Sequence, residues 1–129
     1  MANYKIDNLD STTNILKALS DRNRARIVMS LRRGRLCVCQ IIELLQLAPS
    51  TVSKHLYILK QAGLIEADKN GRWIYYRLPK DSDSRAVQNA LQWLRKSLAR
   101  DQKIVQDKNT LDKILKKDPE KLCAKMKKR

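Results

Sequence analysis

Residues 49–78 of this 129-residue chain, PSTVSKHLYILKQAGLIEADKNGRWIYYRL, decide its fold. The first half predicts a helix, because Pro49 suits the first helical position, apolar residues follow at helical spacing, and Gly63 supplies a stop. The second half predicts a β-hairpin with strands at 64–67 and 73–78, because the Asn-Gly pair between them accepts the positive φ angles of a tight turn. The segment therefore predicts a helix that leads directly into a hairpin.

A shorter helix is predicted just upstream, at 40–47, only two or three residues before the helix that starts at Pro49. Two short helices joined by so tight a turn form a helix-turn-helix, and a hairpin directly after it supplies a wing. Lys69 and Arg72 flank the hairpin tip, as a wing beside a phosphate backbone requires. The sequence therefore predicts a mainly α-helical fold with a small β-hairpin, a winged helix-turn-helix.

The flanking segments supply the remaining predicted elements. Helices are expected at 13–20 and 22–33, followed by a short extended segment at 36–38. A long helix is expected after the Asp/Ser cluster 81–84, with an apolar stripe from Val87 to Leu98 that a core or a partner subunit must cover.

The C-terminal part of the chain has a weaker pattern, with only short apolar clusters among many lysines. We expect residues 1–106 to form the winged DNA-binding domain. Residues 107–129 are expected to form a Lys-rich tail, either a solvated helix or a disordered arm.

The charge of the chain points to a polyanionic partner. Lys and Arg number 28 against 13 for Asp and Glu, a formal net charge of +15. Residues 20–80 carry +8 and residues 94–129 carry another +8. Nucleic acid is the first candidate partner, and an anionic membrane surface is the second.

Composition also excludes several classes of protein. A 43% hydrophobic content excludes wholesale disorder. No apolar run approaches the roughly 20 residues of a membrane span, and residues 1–21 do not resemble a secretory signal, so we expect a cytoplasmic protein with reduced thiols. A single His, with no Gly-rich phosphate loop and no nucleophile–base pair, predicts that the chain is not an enzyme.

The predicted DNA-binding residues follow from the fold, because the second helix of the motif lies with its start in the major groove. They are Pro49, Ser50, Thr51, Ser53, Lys54 and Tyr57 on that helix, with Lys69 and Arg72 on the wing. Hydroxyl groups can bond phosphates or base edges, whereas Lys54 suits a phosphate. The alternative for Ser50 and Thr51 is helix capping, and His55 is expected to be a packed side chain.

Cys37 and Cys39 are separated by one residue, and their geometry depends on the local structure. In a helix they point about 200° apart, whereas in an extended segment they share a face. Binding one ion through both sulfurs would therefore open the start of the 40–47 helix, which braces the recognition helix. Soft thiolates select As(III), Sb(III), Cd(II), Pb(II) or Cu(I). The alternative is two small buried residues at a strand end.

Five segments together resemble the ArsR/SmtB family of bacterial winged-helix repressors, whose members leave DNA on binding a metal or metalloid. The segments are Leu16–Asp21, Arg24–Leu31, Leu36–Cys39, Ser50–Leu56 and Gly71–Leu78, in the family's order and spacing. Leu36–Cys39 resembles the arsenic-responsive and the cadmium/lead-responsive branches in particular. The resemblance implies a homodimer that forms through the N-terminal helix and the long C-terminal helix.

Three positions depart from the family's pattern. Ile42 stands where arsenic-responsive members often have a third Cys, and Gln46 stands where the turn usually has Gly, which predicts a reshaped or strained turn. No His follows His55, so the zinc site on the last helix is expected to be absent. Cys123, the remaining thiol, is a candidate third metal ligand or a bystander.

The leading hypothesis is a repressor of an arsenic-resistance-type operon that As(III) or Sb(III) releases from DNA through Cys37 and Cys39. A Cd(II)- or Pb(II)-responsive repressor is the nearest alternative, followed by a thiol redox or reactive-sulfur switch on the same scaffold. A hypothesis of another class is a constitutive architectural nucleic-acid-binding protein with inert cysteines. No metal is expected to be required for folding.

Overall fold

Apolar residues at helical spacing fold most of the chain into helices in the computed structural model, which describes residues 6–127. The helices are α1 (Leu9–Leu19), α2 (Arg22–Ser30), α3 (Val38–Leu45), α4 (Pro49–Gln61), α5 (Arg85–Leu98), α6 (Gln102–Ile114) and α7 (Pro119–Lys127). A 3₁₀ turn, Leu31–Arg33, follows α2. The strands are β1 (Leu36–Cys37), β2 (Glu66–Asn70) and β3 (Trp73–Arg77).

The core lies where α2, α3 and α4 meet. Ile27, Ile41 and Leu59 are fully buried there, and Leu56 is 1% exposed. Burial of each such side chain contributes about 1.5–3 kcal/mol relative to exposure. The predicted apolar stripe of α4 is therefore what fixes this helix to the rest of the domain.

Side-chain caps set the starts of α1 and α2. Asn8 accepts a hydrogen bond from the Ser11 backbone N–H at 2.8 Å, and the Ser11 hydroxyl accepts one from the Asn8 N–H at 2.9 Å. This reciprocal capping box starts α1 at Leu9, four residues before the predicted start at residue 13. Asp21 caps α2 by accepting from the backbone N–H groups of Asn23 and Arg24.

The three strands form an antiparallel sheet in the order β1-β3-β2. A tight turn joins β2 to β3 as predicted, but it lies one residue later than the predicted Asn-Gly pair. Asn70 is the last residue of β2 and pairs with Trp73, so the turn residues are Gly71 and Arg72, and of these only Gly71 has a positive φ, 62°. Strand β2 begins at Glu66, two residues later than predicted, because the Leu64 N–H still donates to the Leu59 carbonyl at the end of α4, at 3.1 Å. The hairpin is the wing, and β1 joins it through the pairs Leu36↔Tyr76 and Cys37↔Tyr75.

The turn between α3 and α4 contains a residue other than glycine in the left-handed conformation. Gln46 has φ 55° and ψ 39°, and its backbone N–H donates to the Ile42 carbonyl. Its side-chain amide donates to the Glu43 carbonyl at 2.7 Å. The predicted backbone strain of this turn is thus confined to Gln46, and the side-chain hydrogen bond to Glu43 partly offsets it.

The C-terminal helices pack on the winged domain rather than extending from it. The boundary predicted at residue 106 falls inside α6, which contacts α2 and α3, while α7 contacts α3. Five apolar side chains of these helices are buried, and they are Ile104, Leu111, Ile114, Leu122 and Met126. Within residues 6–127, no helix is long and apolar enough to cross a membrane.

Candidate nucleic-acid interface and thiol cluster

The predicted recognition helix α4 presents one polar face to solvent. All six predicted contact residues on it are exposed: Pro49, Ser50, Thr51, Ser53, Lys54 and Tyr57. The opposite face is buried through Val52, Leu56 and Leu59. Pro49 stands at the first helical position, as predicted, because its missing N–H has no partner to lose there. The exposed face is free to enter a groove while the buried face holds the helix.

Arg24 ties this helix to the two helices before it, a role that the sequence did not reveal. Its Nε donates to the Ala18 carbonyl at 2.7 Å, and its Nη2 donates to the Lys17 carbonyl at 3.2 Å. Its Nη1 lies 3.1 Å from the Nδ1 of His55 on α4. His55 is half-buried against this guanidinium. One side chain therefore joins the end of α1, helix α2 and the middle of α4.

The wing exposes Lys69 and Arg72 at its tip, where the prediction placed them. Arg72 forms an ion pair with Glu120 of α7, and its guanidinium lies 5.4 Å from the centre of the Trp73 ring. Both partners of the ion pair are well exposed, so the pair is weak. Arg72 is thus held toward α7 by a contact that a phosphate can replace.

Arg77 stiffens the base of the wing by joining its two long strands. Its Nε donates to Asp68 Oδ2 at 2.7 Å, and its Nη1 lies 2.6 Å from Glu66 Oε2. The hydrogen bond from Arg77 is the main cause that lowers the pKa of Asp68. The same bond raises the pKa of Arg77, so both groups stay charged at neutral pH.

Cys37 sits where the wing meets α3. Its backbone pairs with Tyr75 of β3, and it is the N-cap residue of α3. The Cys37 N–H donates to Gln40 Oε1 at 2.9 Å, and the Cys37 sulfur accepts from the Gln40 backbone N–H in a capping box. The side chain is 1% exposed and the thiol is free. Cys37 therefore links two elements of the predicted DNA-binding face.

Cys39 is bonded to Cys123 rather than facing Cys37 in a shared site. A disulfide joins Cys39 at the second position of α3 to Cys123 of α7, with the two Cα atoms 5.4 Å apart. The Nζ of Lys125 on α7 lies 3.9 Å from Glu43 Oε1 of α3, and the Nζ of Lys117, just before α7, lies 3.6 Å from the same oxygen. Both ion pairs hold the C-terminal segment against α3. The third predicted ligand, Cys123, is thus next to Cys39 despite 84 residues of separation.

The thiols present no preformed site with three ligands. Across residues 6–127, no group of three or more His, Cys, Asp or Glu side chains is arranged to hold a metal ion. Cys37 and Cys39 lie at the cap and the second position of α3, where side chains two residues apart diverge. The donor set fits a soft, thiophilic ion, but both sulfurs reach one ion only if the first turn of α3 opens.

Helices α1 and α5 pack together and leave large apolar side chains uncovered. Leu9 and Leu16, one heptad apart on α1, are 79% and 65% exposed, and Trp93 of α5 is 63% exposed. By contrast, Val87, Leu91 and Leu94 of the predicted α5 stripe are buried within the chain. These members of the α5 stripe thus belong to the core of this chain, whereas the uncovered apolar side chains are other residues of α1 and α5.

Comparison with known proteins identifies the family. Residues 21–67, which run from the cap of α2 to the second residue of β2, match the bacterial regulatory protein family arsR. An uncharacterised helix-turn-helix transcriptional regulator of Methanocaldococcus jannaschii is 38% identical over 77 residues, which cover 59% of this chain and 86% of the relative. The chain belongs to the arsR family. The resemblance found in the sequence is confirmed, and the family is one of transcriptional regulators.

Two further arsR-family comparisons extend this finding. The arsenic resistance transcriptional regulator of Pseudomonas putida is 40% identical over 65 residues, 50% of this chain, and the match spans about half of that relative, 51%. A solution structure from Mycobacterium bovis has a TM-score of 0.58 at 27% identity, covering 70% of this chain and 78% of that one. That structure is described as the homodimeric winged helix-turn-helix DNA-binding domain of a possible ArsR-family regulator. The predicted winged helix-turn-helix fold is confirmed.

Proposed function

We propose that this chain is a homodimeric, DNA-binding repressor of an arsenic-resistance-type operon, released from its operator when As(III) or Sb(III) binds Cys37 and Cys39. The observation that carries the proposal is the position of Cys37, which caps α3 and also pairs with the wing strand β3. A change at this one residue acts on both elements that frame the recognition helix.

The DNA-binding part of the proposal rests on shape and charge. Helix α4 exposes three hydroxyl side chains and Lys54 in its first two turns, a surface that can bond base edges and phosphates. Lys69 and Arg72 extend that basic surface along the wing. The contacts of Arg24 with Ala18 and His55 hold α4 in place, so the exposed face keeps a fixed orientation.

The dimer rests on the exposed apolar surface of α1 and α5. Leu9 and Leu16 of α1 and Trp93 of α5 are large exposed apolar side chains on two helices in contact, and a second copy can cover them. A two-fold dimer of this kind presents two α4 helices, one to each half of a palindromic operator. The homodimeric description of the Mycobacterium bovis relative supports the same assembly.

Release follows from what Cys37 and Cys39 must give up to hold one ion. A sulfur of Cys37 that bonds arsenic no longer accepts the Gln40 N–H, so α3 loses its capping box. Convergence with Cys39 requires an extended backbone, so the first turn of α3 opens. Because α3 packs against α4 and β1 pairs with β3, both the recognition helix and the wing lose support.

The size of the required effect is moderate. Reducing operator occupancy from 99% to about 1% requires a preference of about 10⁴ for the released state, roughly 5.5 kcal/mol. Two sulfur–arsenic bonds can supply a preference of this size. Cd(II) or Pb(II) would bind the same thiols. Separate titrations with As(III), Cd(II) and Pb(II) distinguish these effectors.

A thiol redox switch is the second candidate, and the Cys39–Cys123 disulfide favours it. Formation of the bond removes two thiol protons and passes two electrons to a peroxide or disulfide oxidant. The bond then fixes α7 to α3 beside the wing. Under this alternative, oxidation changes operator affinity, and As(III) acts only by consuming the same thiols.

The test is fluorescence anisotropy of the reduced protein on its own promoter fragment and on a scrambled duplex. Preference for the promoter, with release by stoichiometric As(III), supports the repressor. Equal binding of the two duplexes at physiological salt contradicts it and favours an architectural protein. Release by Cd(II) alone indicates a cadmium/lead sensor, and release only on oxidation indicates a thiol switch.

A further inference from the structure

The C-terminal helices engage their acidic side chains within the chain itself. Three carboxylates form ion pairs with arginines of α2, the 3₁₀ turn and the wing, and they are Asp107, Asp112 and Glu120. The other two, Asp101 and Asp118, accept hydrogen bonds from backbone N–H groups at the starts of α6 and α7. All five acidic residues of the segment 94–129 are thus used to fix these helices in place.

The lysines on and beside α7 face solvent instead. Lys121 and Lys125 lie four residues apart on this helix, so they share one of its faces, and both are exposed. Lys117, just before the helix, is exposed as well. The Nζ atoms of Lys117 and Lys125 lie near the same carboxylate, that of Glu43, so one negative charge stands against two positive ones. The outer surface of α7 therefore keeps an excess of positive charge.

Helix α7 borders the predicted DNA-binding face at two points. Glu120, on its first turn, forms the ion pair with Arg72 at the wing tip. Both of these residues line a groove between α7 and the wing, and Pro49, the first residue of the recognition helix α4, lines the same groove. Lys121 directly follows Glu120 in the chain. A duplex that contacts both α4 and the wing tip therefore passes beside α7.

We propose that Lys121 and Lys125 bind phosphates of the DNA that flanks the operator half-site, so that α7 extends the DNA-binding surface beyond the wing. The two lysines are about 6 Å apart along the helix axis, and one strand of DNA carries a phosphate about every 3.4 Å of its axis, so each lysine can reach a different phosphate. The inference rests on the proposed repressor function. It adds a surface outside residues 21–67, the part of the chain that matches the arsR family.

The test is fluorescence anisotropy of the full chain on its own promoter fragment over a salt series. Each lost phosphate contact should lower the slope of log affinity against log salt by about 0.9. The double variant Lys121→Gln/Lys125→Gln should therefore lower the slope by about two per chain and weaken promoter binding about tenfold at physiological salt. Glutamine has a helix propensity similar to that of lysine, so α7 should keep its structure.

Two further variants serve as matched controls. Lys108→Gln/Lys113→Gln removes the same charge from exposed positions of α6, which packs against α2 and α3, and should change the slope by less than about 0.5. Lys121→Gln alone keeps both lysines near Glu43, so α7 stays attached to α3, and it should give half of the slope change of the double variant. Equal slope changes in the α6 and α7 double variants, or no change in the α7 variant, would overturn the proposal.

The length of the duplex gives a second readout. The unmodified protein should bind an operator extended by about 10 base pairs on each side more tightly than the bare operator, and the α7 double variant should lose that gain. The ratio of its affinities for promoter and scrambled duplexes should stay within about twofold of the unmodified protein, because phosphate contacts carry no sequence information. The proposed function fails by a different observation, namely that the unmodified protein does not prefer its promoter or is not released by arsenite.

An anionic membrane surface is the alternative partner for the same lysines, and cosedimentation with phosphatidylglycerol vesicles tests it. The α7 double variant and the α6 double variant should cosediment to the same extent, because they carry the same net charge. Loss of vesicle binding in the α7 variant alone, with an unchanged salt slope on DNA, would assign these lysines to a membrane and contradict the inference.

Discussion

The winged segment, residues 20–80, and the C-terminal segment, residues 94–129, carry the same net charge of +8 but use it differently. The winged segment exposes Lys54, Lys69 and Arg72 on one predicted DNA-binding face. The C-terminal segment instead places acidic groups against arginines of the winged segment. These ion pairs are Asp107 with Arg26, Asp112 with Arg33 and Glu120 with Arg72.

The difference shows that a count of charges does not locate a binding surface. The sequence predicts that the arginines of helix α2 are partly solvated and partly directed to phosphate. In the fold, Arg24 is committed to Ala18 and His55, and Arg26 donates to both oxygens of the buried Asp107 at 2.8 and 3.0 Å. These arginines bind other helices of the same chain. The basic surface that is available to DNA is therefore smaller than the formal net charge suggests.

The largest expected effect tests whether the C-terminal helices are part of the folded domain. Leu111→Ala should lower the free energy of unfolding by about 2–5 kcal/mol, because Leu111 is 2% exposed and its truncation leaves a cavity. Leu115→Ala, on the next turn and 40% exposed, is the matched control and should cost less than about 0.5 kcal/mol. Urea unfolding measures both, and equal costs would show that α6 is a detachable tail.

The next effect concerns the contact between the wing and α7. Arg72→Ala should weaken binding to all DNA sequences and lower the slope of log affinity against log salt by about one. Glu120→Gln should act in the opposite direction by freeing Arg72, and Lys113→Ala, on an exposed face of α6, is the charge-matched control for Arg72→Ala. Anisotropy over a salt series measures these effects. A loss confined to one operator base pair would show that Arg72 recognises sequence.

A smaller effect concerns the cap of α2. Burial alone would raise the pKa of Asp21, but the hydrogen bond from the Arg24 N–H and the charges of His55 and Arg24 lower it below 3.8 overall. A folded-state pKa below the unfolded value means that the charged cap stabilises the fold at neutral pH. That contribution is lost as the pH falls through the folded pKa.

Asp21→Ala should therefore lower the free energy of unfolding by about 1 kcal/mol at pH 7. The difference from the unmodified protein should stay constant down to about pH 5 and shrink below about pH 4. Asp21→Asn keeps an acceptor for the cap and serves as the neutral control. Denaturant unfolding at each pH provides the comparison, and a difference that grows in acid would contradict the assignment.

The smallest effect concerns the turn before α4. Gln46→Gly should raise the free energy of unfolding by a few tenths to about 1 kcal/mol, because glycine adopts the left-handed conformation without a Cβ clash. The gain is partly offset by loss of the bond from the Gln46 amide to Glu43. Gln46→Ala, which keeps the clash and loses the bond, should destabilise. A destabilising Gln46→Gly would show that the side-chain bond is the larger contribution.

Much of the winged segment was predictable because its signals are local. Pro49, Gly63 and Gly71 mark the ends of elements, and the apolar stripe of α4 has a clear period. The exposed face of α4 follows from the same period. The start of α1 was missed, since Asn8 and Ser11 form a capping box ahead of the first clear apolar pair.

The thiol cluster was only partly predictable because its geometry depends on distant residues. Cys37 and Cys39 stand out by spacing alone, but nothing local indicates that Cys123 meets Cys39 across 84 residues. The exposure of Leu9, Leu16 and Trp93 was equally unpredictable from the sequence. An apolar stripe does not show which of its side chains are buried within the same chain. Both features depend on how α5, α6 and α7 pack.

The most direct test of the central claim is operator release in reduced protein, measured by anisotropy with As(III) titrated against the unmodified chain, Cys37→Ser and Cys123→Ser. The account predicts release from the unmodified chain and from Cys123→Ser at stoichiometric As(III). It predicts intact DNA binding without release in Cys37→Ser, because that variant keeps the fold but loses the sulfur at the cap of α3. Release from Cys37→Ser equal to that of the unmodified chain would contradict the claim.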